Sequence, residues 1–212
     1  MTPTKASPKI SRFIVFEGLD GAGTTTQTRM LHSNLTSRGV QSVLTSEPTS
    51  SPIGRVLREY LSGSNAIDPR TIAHLFAADR CEHLFGSSGI VADTARGSLV
   101  ICDRYKYSSL AYQSVDAGID LVRALNNAFP DPAALIYLRV DPETAEERLA
   151  HRSSREIYEV LEFQRRVAAN YDRELAAARA RTTVIEIDGH RPAIEIANTI
   201  LEELRAASIL EA

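Results

Sequence analysis

The 212-residue sequence predicts an α/β domain on a mainly parallel sheet, and three observations predict it. Short apolar runs alternate with longer stretches of helical periodicity, as in successive βαβ units. The runs at 98–103 and 134–140 are apolar without alternation, as strands covered on both faces are. The first run leads at once into a glycine-rich turn and a helix start.

Taken in order, residues 13–17 (Phe-Ile-Val-Phe-Glu) form a buried first strand. Residues 25–37 read as a helix, with Met30, Leu31 and Leu35 inward and Gly39 just past its end. A second strand at 40–45 is followed by helices at 53–61 and 69–85, separated by a Ser/Gly/Asn loop. After the strands at 98–103 and 134–140, Asp141-Pro142-Glu143 opens a helix: a capping carboxylate, a proline in the first turn and an acid near the positive helix end. A long helix over roughly 158–179, a last strand at 183–188 and a closing helix from Pro192 complete the order. Residues 1–11 read as a short flexible leader without the apolar segment of a signal peptide. Residues 12–212 read as one domain, with no repeat or linker dividing it.

Composition excludes several classes of function. With 43% apolar and 24% charged residues the chain is not a disordered tail, a collagen or a coiled coil. A net charge of −3 argues against a nucleic-acid coat or a polybasic membrane binder, and no apolar run approaches the roughly 18 residues of a membrane span. Cys81 and Cys102 are too few for a disulfide framework, so a reduced, cytoplasmic setting is expected. Of the 24 Lys and Arg, only Lys5, Lys9 and Lys106 are lysines, leaving 21 arginines. Arginine is the planar fork suited to phosphate and carboxylate, so its placement bears on function.

The turn after the first strand reads Glu17-Gly18-Leu19-Asp20-Gly21-Ala22-Gly23-Thr24-Thr25-Thr26. Against the phosphate-binding pattern G-x-x-x-x-G-K-[ST], Gly18, Gly23 and Thr25 match, but Thr24 stands where lysine belongs. Glycines let backbone N–H groups curl around phosphate oxygens, the helix start adds positive potential, and a Thr25 hydroxyl can ligate magnesium. Thr24 cannot supply the cation that bridges the β- and γ-phosphates. The competing reading is a turn that merely joins strand to helix.

Five stretches together resemble the thymidylate kinase family: this loop, Glu47-Pro48 with 54–58, 76–80, Asp103-Arg104-Tyr105 with 109–113, and 163–171. The resemblance runs from about Phe13 to the last helix. It implies a three-layer P-loop NTPase fold with a five-stranded parallel sheet and a short lid at about 142–160. It also implies transfer of the γ-phosphoryl group of ATP to dTMP with Mg2+, and a homodimer.

By that resemblance the loop from Gly18 to Thr26 binds ATP, and the Asp20 carboxylate faces the acceptor's sugar 3′-hydroxyl; an Asp that only stabilises the turn is the alternative. Phe76 and Arg80, at i and i+4, share a helix face and would stack on and donate to a pyrimidine. Otherwise Phe76 is core and Arg80 pairs with Asp79 or Glu82. Asp103 and Arg104 end a buried strand where open α/β sheets bind ligands, suiting Asp103 to magnesium and Arg104 to the acceptor phosphate; a buried polar pair satisfying itself is the other reading. The resemblance gives Arg58 a second phosphate contact, Ser109 a base contact, and Tyr112 the 2′ side of the sugar. Glu47, Pro48, Gln113 and Tyr158 join them around dTMP.

Arg148, Arg152 and Arg155 fall at i, i+4 and i+7, one face of a helical segment that matches the family's lid. With Gly21 rather than an arginine in the loop, a lid arginine, Arg152 or Arg155, is the expected source of catalytic charge; salt bridges to Glu143, Glu146, Glu147 and Glu156 are the alternative. Lys106 reads as solvated rather than as a substitute for the missing lysine. Two further readings stay open: a kinase for another deoxypyrimidine nucleotide, and a weakly active nucleotide-binding protein.

Overall fold

The computed structural model describes residues 9–64, 66–150, 158 and 160–211. In chain order the elements are β1 (Lys9–Gly18), α1 (Thr24–Ser37), β2 (Ser42–Ser46), α2 (Pro52–Leu61), α3 (Pro69–Phe85), α4 (Ile90–Ala95), β3 (Leu99–Asp103) and α5 (Lys106–Tyr112). They continue with α6 (Ser114–Ala117), α7 (Ile119–Asn126), β4 (Asp131–Arg139), α8 (Pro142–Leu149), α9 (Leu161–Ala178), β5 (Thr183–Asp188) and α10 (Ala193–Ala206). The five strands pair in parallel in the order β2-β3-β1-β4-β5, with helices on both faces, as expected of a three-layer α/β sheet. None of the described helices is long and apolar enough to cross a membrane.

The central strands explain the unbroken apolar runs. Phe13 to Phe16 of β1 and all of β3 are buried, because each side of the sheet is roofed by helices. Each such Phe, Ile or Val contributes about 1.5–3 kcal/mol by leaving water. Some helix bounds follow the capping signals closely. Asp68 accepts from the Arg70 N–H ahead of Pro69, and Asp141 accepts from the Thr144 N–H ahead of Pro142. Gly39, at φ +77, closes the turn after α1.

Three expectations need correction. The strand begins at Lys9, inside the expected leader, because Lys9 and Ile10 pair with Asp131 and Pro132 of β4. The helix expected from residue 158 begins at Leu161. Met30 is only half-buried, while Leu31 and Leu35 are core.

The order of the strands locates the site. From β1 the chain runs outward to β2, returns to β3, and then crosses to β4 on the other side. The carboxyl ends of β1 and β3 therefore flank the switch point, where a crevice opens between connections leaving in opposite directions.

Candidate functional site

A cleft of about 520 Å³ lies there, lined from β1 and α1 by the glycine loop, from β2 by Glu47 and Pro48, and from β3 by Asp103 and Arg104. Of the expected site residues, Leu19, Asp20, Gly21, Gly23, Thr24, Thr25 and Thr26 line one end. Arg58, Phe76, Arg80, Ser109, Tyr112, Gln113 and Tyr158 line the other. Gly18 and Ala22 do not line it. A side chain on Gly18 would come within 2.9 Å of the Ala22 Cβ and 3.0 Å of the Leu138 carbonyl, so these two shape the loop by close packing. Arg152 and Arg155 lie outside the described residues.

The loop end is made of backbone. Gly21 and Gly23 have φ near +90 and +96, which only glycine adopts without strain, and they turn the chain into α1. The N–H groups of Gly21, Gly23, Thr24 and Thr25 have no hydrogen-bond partner among the described residues. No acid occupies the first turn of α1. Four free donors at a helix N-terminus form an anion cradle. Thr24, in the lysine position, is 6% exposed and carries no charge into it.

Thr25 and Asp103 meet below that cradle. The Thr25 hydroxyl donates to Asp103 Oδ2 at 2.5 Å, whereas the buried Asp103 Oδ1 has no hydrogen-bond partner among the described residues. A hydroxyl and a carboxylate with a spare lone pair are hard oxygen donors, a set that fits magnesium, which keeps several of its waters.

The other end is made of side-chain charges, each matched. Arg80 is 1% exposed and donates from Nε to Glu47 Oε2 at 2.9 Å, with Nη2 2.8 Å from the same oxygen. It also donates to Asn126 Oδ1 and to Ser109 Oγ. Three of its five N–H groups donate hydrogen bonds, leaving two. Its acid is Glu47 rather than Asp79 or Glu82; Asp79 instead accepts from Thr49 and Ser51. Phe76 lies on the same helix face, almost buried. Tyr112 and Tyr158 also line the cleft, with Phe163 stacked on Tyr158 at 4.7 Å. Arg58 donates to the Pro48 carbonyl, next to the cis Glu47–Pro48 bond.

Arg104 joins the two ends. Its φ of +71 is a left-handed conformation costing on the order of 1–3 kcal/mol for a residue other than glycine. Its guanidinium donates to Asp20 Oδ1 at 2.6 Å, to the Gly18 carbonyl at 3.1 Å and to Ser108 Oγ at 3.1 Å, and lies 5.2 Å from the Tyr112 ring centre. Asp20 therefore does more than stabilise its turn. Its second oxygen accepts from Gln164, and its N–H donates to the Tyr112 hydroxyl.

One expectation and one alternative reading fail on contacts distant in sequence. Lys106 is not solvated: it is 4% exposed, 2.8 Å from Asp131 and donates to the Phe129 carbonyl. Burial pulls its ammonium below the usual range, against the Asp131 carboxylate. Arg148 pairs with no described glutamate. The α8 helix sits so close to the loop that a side chain on Gly21 would meet the Ala145 carbonyl at 2.5 Å, and Arg148 donates to the Gly21 and Gly189 carbonyls. Glu143 pairs with Arg165 instead.

Sequence reasoning missed four contributors. Arg29 follows Thr25 by one helical turn, lines the cleft, and has no partner among the described residues; its i+4 spacing was a readable signal. Asn126 reaches Arg80, Ser108 reaches Glu17 and Gln164 reaches Asp20 across 46, 91 and 144 positions, and no spacing marks such contacts.

Comparison with known proteins is concordant. A family model described as thymidylate kinase matches residues 16–200. The chain is 42% identical to a protein of Aeropyrum pernix named "Putative thymidylate kinase", over 87% of this chain and 88% of that protein. It is 36% identical to the one of the same name from Treponema pallidum, over 92% and 96%. With the "Probable thymidylate kinase" of Methanocaldococcus jannaschii the identity is 40%, over 75% and 79%.

Proposed function

The chain belongs to the thymidylate kinase family, and on that premise we propose that it transfers the γ-phosphoryl group of magnesium-bound ATP to dTMP. The observation that carries this reading is Arg104, held in a left-handed conformation between the glycine loop and the acceptor end of the cleft.

ATP binds with its phosphates on the free N–H groups of residues 21 and 23–25, helped by the positive end of α1. Thr25 and Asp103 would hold a magnesium ion, which would supply charge neutralisation for the ATP phosphates. The base of dTMP stacks against Phe76 and takes a remaining N–H of Arg80, while Ser109 and Gln113 complete its polar edge. Tyr112 and Tyr158 close on the sugar. Arg104 and Arg58 hold the acceptor phosphate, and Asp20 keeps Arg104 aimed.

No strong base is required. A phosphate monoester has a second pKa near 6 and is largely a dianion at pH 7, so alignment and charge neutralisation carry the rate. The lid residues Arg152 and Arg155 are the proposed source of charge on the transferring group. The homodimer and the reduced cytoplasmic setting rest on the family resemblance and on the free cysteines Cys81 and Cys102; sedimentation of the purified protein checks the former.

ADP release measured with dTMP, dUMP, dCMP and no acceptor tests the reading. The expected result is turnover that requires dTMP. ATP binding with no dTMP-dependent ADP would instead mark a nucleotide-binding protein without kinase activity, and equal rates with dUMP a broader kinase.

A further inference from the structure

Glu17 lies beneath the cleft, fully buried at the end of β1, and four donors converge on its carboxylate. Oε1 accepts from the N–H groups of Tyr105 at 2.9 Å and Ser108 at 3.1 Å; Oε2 accepts from Ser108 Oγ at 2.5 Å and from the Tyr171 hydroxyl at 2.8 Å. No hydrogen-bonding capacity faces the cleft, so Glu17 acts through its neighbours.

Those neighbours belong to Arg104. Its own N–H donates to the Phe16 carbonyl at 2.9 Å, and the N–H of the next residue is held by Glu17. The left-handed residue is thus pinned on both sides by consecutive residues of β1. Ser108 is the second link: its hydroxyl donates to Glu17 and accepts from the Arg104 guanidinium.

We propose that Glu17 is the positioning residue of Arg104, fixing its backbone through Tyr105 and its guanidinium through Ser108, so that the arginine meets the acceptor phosphate in one geometry. This rests on the reading that Arg104 binds that phosphate. A simple helix cap is the rival role, since Glu17 also satisfies first-turn N–H groups of α5.

Glu17→Gln separates the two. An amide oxygen turned toward Tyr105 and Ser108 keeps the cap. The amide NH2 then faces two hydroxyls, and the Ser108 hydrogen must turn away from Glu17's position, which changes what Arg104 meets. Steady-state kinetics at pH 8, where Glu17 is ionised, of the wild type, Glu17→Gln, Arg104→Ala and the double variant, each with a thermal melt, provide the test.

Glu17→Gln should raise the KM for dTMP about tenfold and leave the KM for ATP within about twofold. It should add nothing in the Arg104→Ala background. Ser108→Ala, which removes the relay and keeps the backbone cap, should shift the dTMP KM the same way, and it carries the test if Glu17→Gln does not fold. Wild-type constants in Glu17→Gln, an equal rise in both KM values, or full additivity with Arg104→Ala overturns the proposal while the functional reading stands. Unchanged dTMP constants in Arg104→Ala alone overturn the functional reading and the proposal together.

Discussion

The two ends of the cleft are built from different materials. At the loop end the ligand-facing groups are backbone N–H donors and hydroxyls, and no carboxylate sits in the first turn of α1. At the acceptor end they are arginines, and the two least exposed are matched: Arg80 by Glu47, Arg104 by Asp20. A backbone cradle needs only local geometry and tolerates a change of side chain such as Thr24. A buried arginine needs a partner acid, because removing one member leaves an uncompensated charge in a low dielectric. The arginine excess of the composition is therefore not free positive charge around the nucleotides. Two of the cleft's arginines, Arg80 and Arg104, are already matched by acids of the protein itself.

The largest effect should come from breaking that match. Glu47→Gln leaves the Arg80 charge buried and His83 without its acceptor, and should cost about 3–5 kcal/mol of stability, read by urea denaturation. Pairing it with Arg80→Met should recover part of the loss, since the volume is kept and the charge removed. A loss under about 1 kcal/mol for Glu47→Gln would mean the acceptor end does not depend on charge matching.

Arg104→Ala comes next. It should lower kcat/KM for dTMP by about 10²–10³-fold, the scale for losing a positioned charge at a reacting centre, with the KM for ATP changing less than about threefold. Equal damage to both substrates would mean that the two ends are one unit.

Glu17, between the ends, gives a prediction in pH. Burial pushes its carboxyl up from an ordinary 4.5 to about 7, outweighing the pull of Ser108 and Arg104. The folded state therefore holds this proton between pH 4.5 and 7 while the unfolded chain releases it, so stability falls as pH rises through that window and levels off above it. Up to about 3 kcal/mol is involved. Denaturation at pH 5 and pH 8 should show Glu17→Gln gaining on the wild type by roughly this amount. Gaining ground in the opposite direction would show that the four donors outweigh burial.

The same contrast explains what was legible in the sequence. The loop end is local: Gly18, Gly23 and Thr25 are tied to one turn, so spacing revealed them. The helix over Pro69–Phe85 was legible for the same reason, through Asp68 and Pro69 at its start. The acceptor end joins residues from β1, β2, α3, α5, α7 and α9, and only the family resemblance brought most of them together. Asn126 and Asp131 gave no signal because their partners, Arg80 and Lys106, lie 46 and 25 positions away. Lysines are rarely buried, which is why Lys106 read as solvated. The helices α4 and α6, of 6 and 4 residues, are too short for periodicity to register.

The smallest effect is expected where the sequence departs most openly from its motif. Thr24→Lys restores the cation of the pattern, yet a backbone cradle supplied by four N–H groups and the end of α1 does not rest on one side chain. Arg29, unpaired among the described residues and on the same cleft, can furnish charge, and the proposed reading adds Arg152 and Arg155. Thr24→Lys should therefore change kcat by less than about threefold, whereas Arg29→Ala should raise the KM for ATP by about tenfold. Combining them sharpens the comparison. If the restored lysine rescues Arg29→Ala, the two cations serve one phosphate and the loop end, like the acceptor end, is limited by charge. If Thr24→Lys alone activates the enzyme a hundredfold, the cradle was short of one cation all along, and backbone geometry does not suffice at either end of the cleft.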